Sequence, residues 1–159
     1  MAERRIMFVF PGQGSQYRGM GSDIAAEFAV ARDTYDEAAD ALGYDIAKLS
    51  FEDPNGEIGL TRYTQPALLT HEIACLRVFR ELAGEVQPDF AAGHSLGEYT
   101  ALVAAGSLTF ADGLRLVKRR GELMGEHGAG GMLALGLDRA AARAIADRHC
   151  CQLASLNLP

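Results

Sequence analysis

Residues 93–97 read Gly-His-Ser-Leu-Gly, preceded by the apolar run "PDFAA" and followed by "EYTALVAAG". This stretch constrains the fold more than any other. A Gly-x-Ser-x-Gly spacing between a strand and a helix describes a turn so sharp that only glycine fits beside the serine without collision. It therefore predicts a buried strand over 89–93 that ends on Ser95 and a helix over about 97–105. The segment "RRIMFVF" at 4–10 is a second short β-prone run, closed by Pro11-Gly12-Gln13-Gly14. Neighbouring strands of a parallel sheet end on the same edge, so the two loops are expected side by side.

Helical patterns run from about Asp23 to Leu42, from Gln65 to Ala83, with Leu68, Ile73, Leu76 and Phe79 on one face, and from about 110 to 126. Alternating strand and helix signals predict an α/β fold with a parallel sheet covered by helices. The composition changes at "HGAGG", 127–131. Beyond it, "MLALGL", "DRAAARAIADRH" and "CCQLASLNL" read as one β-α-β unit. The expected organisation is thus 1–128 as one part and 129–159 as the opening of a second, smaller module. Two strands and a helix bury too little surface to stand alone, so that module is expected to be unfinished.

Charge and cysteine content exclude several functions. A net charge of −6 argues against a broad nucleic-acid-binding face, and Lys118-Arg119-Arg120 is the only basic run. No stretch approaches the roughly 18 consecutive apolar residues of a membrane span, and the N-terminus lacks a signal-peptide layout, so a soluble, cytoplasmic protein is expected. Cys75, Cys150 and Cys151 lack metal-site or disulfide spacing and read as buried or half-buried thiols.

The chemistry centres on Ser95, a candidate nucleophile that needs a base. The N–H of Leu96 would face an oxyanion on its target, and Gln13 of the "PGQGSQ" loop is the candidate second donor, with a plain glycine turn as the alternative. Arg120 falls inside the stripe formed by Phe110, Leu114, Leu116, Val117, Leu123 and Met124, with Arg115, Lys118 and Glu122 opposite. A guanidinium there must find an anion, either an internal carboxylate such as Glu98 or that of a bound substrate. His94 adjoins the serine and reads as orienting the turn by hydrogen bonding. His71, His127 and His149 lie in no motif, which leaves Ser95 without an evident base.

"FVFPGQGSQYRGMG", "TQPALL", "AGHSLGEYTALVAAGSLTFADGLRLVKRRGELM" and "GGMLALGLD" resemble malonyl-CoA:acyl carrier protein transacylases and polyketide synthase acyltransferase domains. The resemblance implies an α/β-hydrolase-like large subdomain carrying an inserted ferredoxin-like small subdomain. It makes Ser95 the acylated residue, Arg120 the holder of the malonyl carboxylate, and Gln13 and Leu96 the oxyanion hole. His94 and Gln65 correspond to residues near the family's active site. Leu96 and Tyr99 match the malonyl-selective members. Such proteins are usually nearly twice this length. The resemblance places 129–159 at the start of the insertion, and the family's catalytic histidine after it.

The expected activity is malonyl transfer from coenzyme A to a carrier protein's phosphopantetheine thiol, in fatty acid or polyketide biosynthesis, through an acyl-serine. The expected partners are malonyl-CoA, an acyl carrier protein and the C-terminal half of the acyltransferase, with no metal or organic cofactor. Two alternatives stay open: a serine hydrolase or thioesterase built on the same elbow, and a non-catalytic fragment that docks a carrier protein.

Overall fold

A computed structural model of the chain describes residues 5–84 and 86–156. Its contacts divide the chain into two units, Met1–Gly128 and Ala129–Pro159. The first is a mixed α/β unit with a small parallel sheet. Strand β1 (Met7–Phe10) pairs with β2 (Phe90–Gly93), Met7 opposite Phe90 and Phe10 opposite Gly93. Between them run helices α1 (Ser22–Glu27), α2 (Ala29–Leu42), α3 (Ile46–Phe51) and α4 (Thr61–Ala83). After β2 come α5 (Gly97–Ala104) and α6 (Phe110–His127). The shared register ends both strands at one level, which puts the loop after Phe10 beside the turn after Gly93.

Helix α4 packs against α2, α3, α5 and α6. Its Leu68 and Leu69 join Tyr35, Leu96, Leu114 and Val117 in a fully buried core. Removing such side chains from water is the main stabilising term of the unit. Tyr35 packs edge-on against Phe51 and donates its hydroxyl to Met20 O at 3.2 Å. Burial pushes that phenol well above its usual pKa.

Several sequence expectations shift. The helix expected from Asp23 to Leu42 is broken at Phe28, whose backbone is extended. The Arg32 guanidinium accounts for the break: it donates to Ala25 O at 2.8 Å and Ala26 O at 3.3 Å, capping carbonyls that a continuous helix would use internally. Helix α3 falls between the two helical patterns read from the sequence, started by Asp45, whose carboxylate accepts from Lys48 N. The three cysteines are exposed rather than buried, because position 75 lies on the outer side of α4 and positions 150 and 151 follow the last turn of α7 (Arg139–Arg148).

The second unit contains α7, capped by Asp138, whose Oδ1 accepts from Ala141 N at 2.9 Å. No strand forms among its described residues. The run 132–137 has no neighbouring strand there to pair with, and Met132 and Leu133 stay 90% and 83% exposed. The second expected strand reaches Asn157 and Leu158, which lie outside the described residues.

Candidate active site

The turn after β2 is held by close approach of backbone to backbone. A Cβ on Gly93 would overlap Gly97 and the Glu98 nitrogen, and one on Gly97 would overlap the Phe10 and Pro11 carbonyls. Ser95, between them, takes the left-handed conformation with φ 53°, uncommon for a residue with a side chain. Phe10 O accepts from His94 N at 3.0 Å, and His94 O accepts from Gly97 N at 2.9 Å. His94 thus anchors the turn through its backbone hydrogen bonds. Its exposed ring makes no hydrogen bond among the described residues and instead crowds Gly12, where a Cβ would lie 2.8 Å from Nδ1. Leu96 buries its side chain completely at the start of α5. Among the described residues its N–H donates to no carbonyl, and it lies where a helix N-terminus favours negative charge.

Arg120 reaches this turn from α6. Its Nη2 donates to Ser95 Oγ at 2.9 Å and its Nη1 to Gln65 Oε1 at 2.6 Å, and the guanidinium carbon lies 5.7 Å from the centre of the Tyr99 ring. Among the described residues no carboxylate, Glu98 included, ion-pairs with it. The stripe around it is narrower than its spacing suggested. Phe110, Leu114 and Val117 are buried along with Gly113 and Gly121, while Leu116, Leu123 and Met124 are exposed. Arg120 therefore sits where the buried face opens. Lys118 does not point freely into solvent: its Nζ donates to Leu42 O at 2.9 Å, capping α2.

A chain of side-chain hydrogen bonds continues from Arg120. Gln65, fully buried on α4, donates through Nε2 to Thr61 Oγ1 at 2.9 Å, and Thr61 donates to Gln13 Oε1 at 2.9 Å. Met124 Sδ, 3.4 Å away, is the other neighbour of Gln65 Nε2. Ser95, Arg120, Gln65 and Gln13 are thus joined, with Thr61 as a member that sequence reasoning missed. Its signal was available: Thr61 stands four residues before Gln65 on one helix, but the helix was expected to begin only at Gln65.

No histidine bonds to Ser95 among the described residues. His71 Nε2 lies 3.6 Å from Cys75 Sγ, and burial lowers the pKa of its ring. His127 sits 3.7 Å from Glu126. Glu72 of α4 accepts a short hydrogen bond from Thr100 of α5, and its other carboxylate oxygen has no partner among the described residues. Burial pushes its pKa up to about 7, although the Thr100 bond pulls the other way. No group of three or more metal-ligating side chains occurs among the described residues, and no helix there is long and apolar enough to cross a membrane.

Residues 7–157 match the family model described as acyl transferase domain. The chain is 46% identical over 164 residues to a malonyl CoA-acyl carrier protein transacylase of Bacillus subtilis, covering 98% of this chain and 51% of that protein. Among solved structures, an acyl-carrier-protein S-malonyltransferase from Burkholderia pseudomallei superposes with a TM-score of 0.81 at 47% identity, over 91% of this chain and 48% of the other. A malonyl-transacylase solved in complex with its type II polyketide acyl carrier protein gives a TM-score of 0.80 at 43% identity, over 91% and 49%. The chain thus spans about half the length of the relatives it matches. A serine at a strained strand-to-helix turn, touched by an arginine that no carboxylate among the described residues neutralises, lies within the matched region, and the chain belongs to the acyl transferase domain family.

Proposed function

We propose that this chain is the acyl-accepting part of a cytoplasmic malonyl-CoA:acyl carrier protein S-malonyltransferase. Residues 1–128 form the N-terminal part of an α/β-hydrolase-like large subdomain, and 129–159 begin a ferredoxin-like small one. Ser95 Oγ attacks the thioester carbonyl of malonyl-CoA, the C–S bond breaks, and coenzyme A leaves as the thiol. The phosphopantetheine thiol of a carrier protein then attacks the acyl-serine ester and regenerates the hydroxyl. A general base from outside this chain, the C-terminal half of the enzyme, takes the Ser95 proton. The negative oxygen formed in each step is met by the Leu96 N–H and the Gln13 loop.

The observation that carries this reading is the Arg120 Nη2 to Ser95 Oγ contact at 2.9 Å, with no carboxylate ion-paired to the guanidinium among the described residues. In a malonyl-serine the free carboxylate lies two bonds beyond the ester carbon, within roughly 4 Å of Oγ. It therefore falls beside Arg120, where a charge-assisted pair forms. An esterase of neutral substrates gains nothing from a cation there. Malonyl-CoA is expected to add one malonyl group to Ser95 in the protein as its source makes it, detected by intact mass and peptide mapping. Ser95→Ala should abolish the adduct, and Arg120→Ala should narrow the preference for malonyl over acetyl by at least about tenfold. A label that survives Ser95→Ala, or equal losses for both acyl groups in Arg120→Ala, overturns the reading.

A further inference from the structure

We propose that Thr61 is a positioning residue for malonyl selectivity, acting through Gln65 on Arg120; this rests on the acyl-transfer reading above. The directions of the bonds are dictated by donor chemistry. A guanidinium can only donate, so the Gln65 atom facing Arg120 at 2.6 Å is the carbonyl oxygen Oε1. Its amide nitrogen must then face Thr61 Oγ1 and donate to it at 2.9 Å. Having accepted there, the hydroxyl directs its single proton to Gln13 Oε1, also at 2.9 Å. One threonine hydroxyl thus specifies which end of the Gln65 amide faces the arginine and holds the Gln13 side chain as well.

Without that hydroxyl, the buried Gln65 nitrogen keeps, among the described residues, only Met124 Sδ at 3.4 Å, a weak acceptor. The amide then loses the bond that fixes its rotation, and Arg120 loses a fixed acceptor on the side away from Ser95. The position of Thr61 is set by α6, which approaches so closely that a Cβ on Gly121 would lie 2.7 Å from Thr61 O. A Cβ on Gly125 would make ordinary contact with the Thr61 methyl at 3.6 Å. The hydroxyl is therefore held on the Gln65 side by packing.

The test uses the protein as its source makes it, with malonyl-CoA and acetyl-CoA as competing donors. Thr61→Val keeps the shape and removes the hydroxyl. It should lower malonyl kcat/KM about tenfold, chiefly through KM, and acetyl kcat/KM by less than half that factor. Thr61→Ser should restore the malonyl-to-acetyl ratio to within about threefold of the parent. Should the valine variant not fold, Thr61→Cys, with its weaker donor and acceptor, is read for the same fall in ratio. An unchanged ratio in Thr61→Val or Thr61→Cys, or a loss in Thr61→Ser as large as in Thr61→Val, overturns the proposal. A parent protein that malonyl-CoA does not acylate overturns the acyl-transfer reading and this proposal with it; an acylated parent with an unmoved ratio overturns only the role of Thr61.

Discussion

The glycines flanking Ser95 and those of the second unit do opposite work. At Gly93 and Gly97 neighbouring backbone occupies the space a Cβ would need, whereas nothing lies within 4 Å of one built on Gly131 or Gly136. The first pair exists so that two strands and a helix can meet closer than side chains allow. The second pair lies in open surroundings. Burial follows the same division: the first unit has a continuous core around Leu68, Leu96 and Leu114, while Ala146 is the buried hydrophobic residue described in the second. A glycine-rich stretch therefore marks close packing in one place and its absence in another. Only the surroundings distinguish them.

The largest test of that contrast is Gly97→Ala against Gly136→Ala. The Phe10 and Pro11 carbonyls cannot yield as a flexible side-chain tip can, so Gly97→Ala should cost more than about 3 kcal/mol by urea or thermal unfolding. Gly136→Ala should stay within about 0.5 kcal/mol. A Gly97→Ala protein that melts like its parent would remove the close approach from the account of the turn.

Glu72 supplies a smaller, pH-dependent effect. Its pKa in the folded protein is about 7, above its usual 4.5, because burial disfavours the carboxylate. Between those values the folded state binds more protons than the unfolded one. Its contribution is therefore fully present below pH 4.5 and is lost as pH rises through 7. Glu72→Gln keeps the shape without ionising. Its melting midpoint should rise relative to the parent between pH 5 and pH 8, by at least about 3 °C. A gap that is constant with pH would mean that Glu72 is not held protonated. The smallest expectation is Leu133→Ser, which should leave the unfolding free energy unchanged within about 0.5 kcal/mol because the side chain is 83% exposed. A larger loss would reveal packing around 133 and blur the contrast between the units.

What was legible in the sequence was local. The strand, turn and helix around Ser95 are written in contiguous residues, although the strand read as buried leaves Phe90 49% exposed, and Arg120 shows itself by standing among apolar neighbours at helical spacing. What escaped depends on distant chain segments. Arg32 breaks a helix by turning back to Ala25 and Ala26, and nothing in the apolar periodicity records that. Thr61 looks like an ordinary polar residue before a helix until Gln13, distant in sequence, is brought against it. The run at 132–137 carries a strand's composition, yet pairing needs a neighbour that local composition cannot supply. The exposed cysteines failed a rule about residue type that says nothing of which side of α4 position 75 occupies.

The dihedral at position 95 acts as a filter on which nucleophiles the fold admits. At φ 53°, the backbone carries Cβ close to the following carbonyl, a cost that an unbranched side chain can bear when its surroundings enforce it. A second branch at Cβ adds collisions of its own, so threonine, though it carries the same hydroxyl, is disfavoured at this position before its reactivity is ever tested. Cysteine, unbranched like serine, passes the same filter. The turn thus sorts candidate nucleophiles first by branching and only then by acidity, a selection made by the backbone.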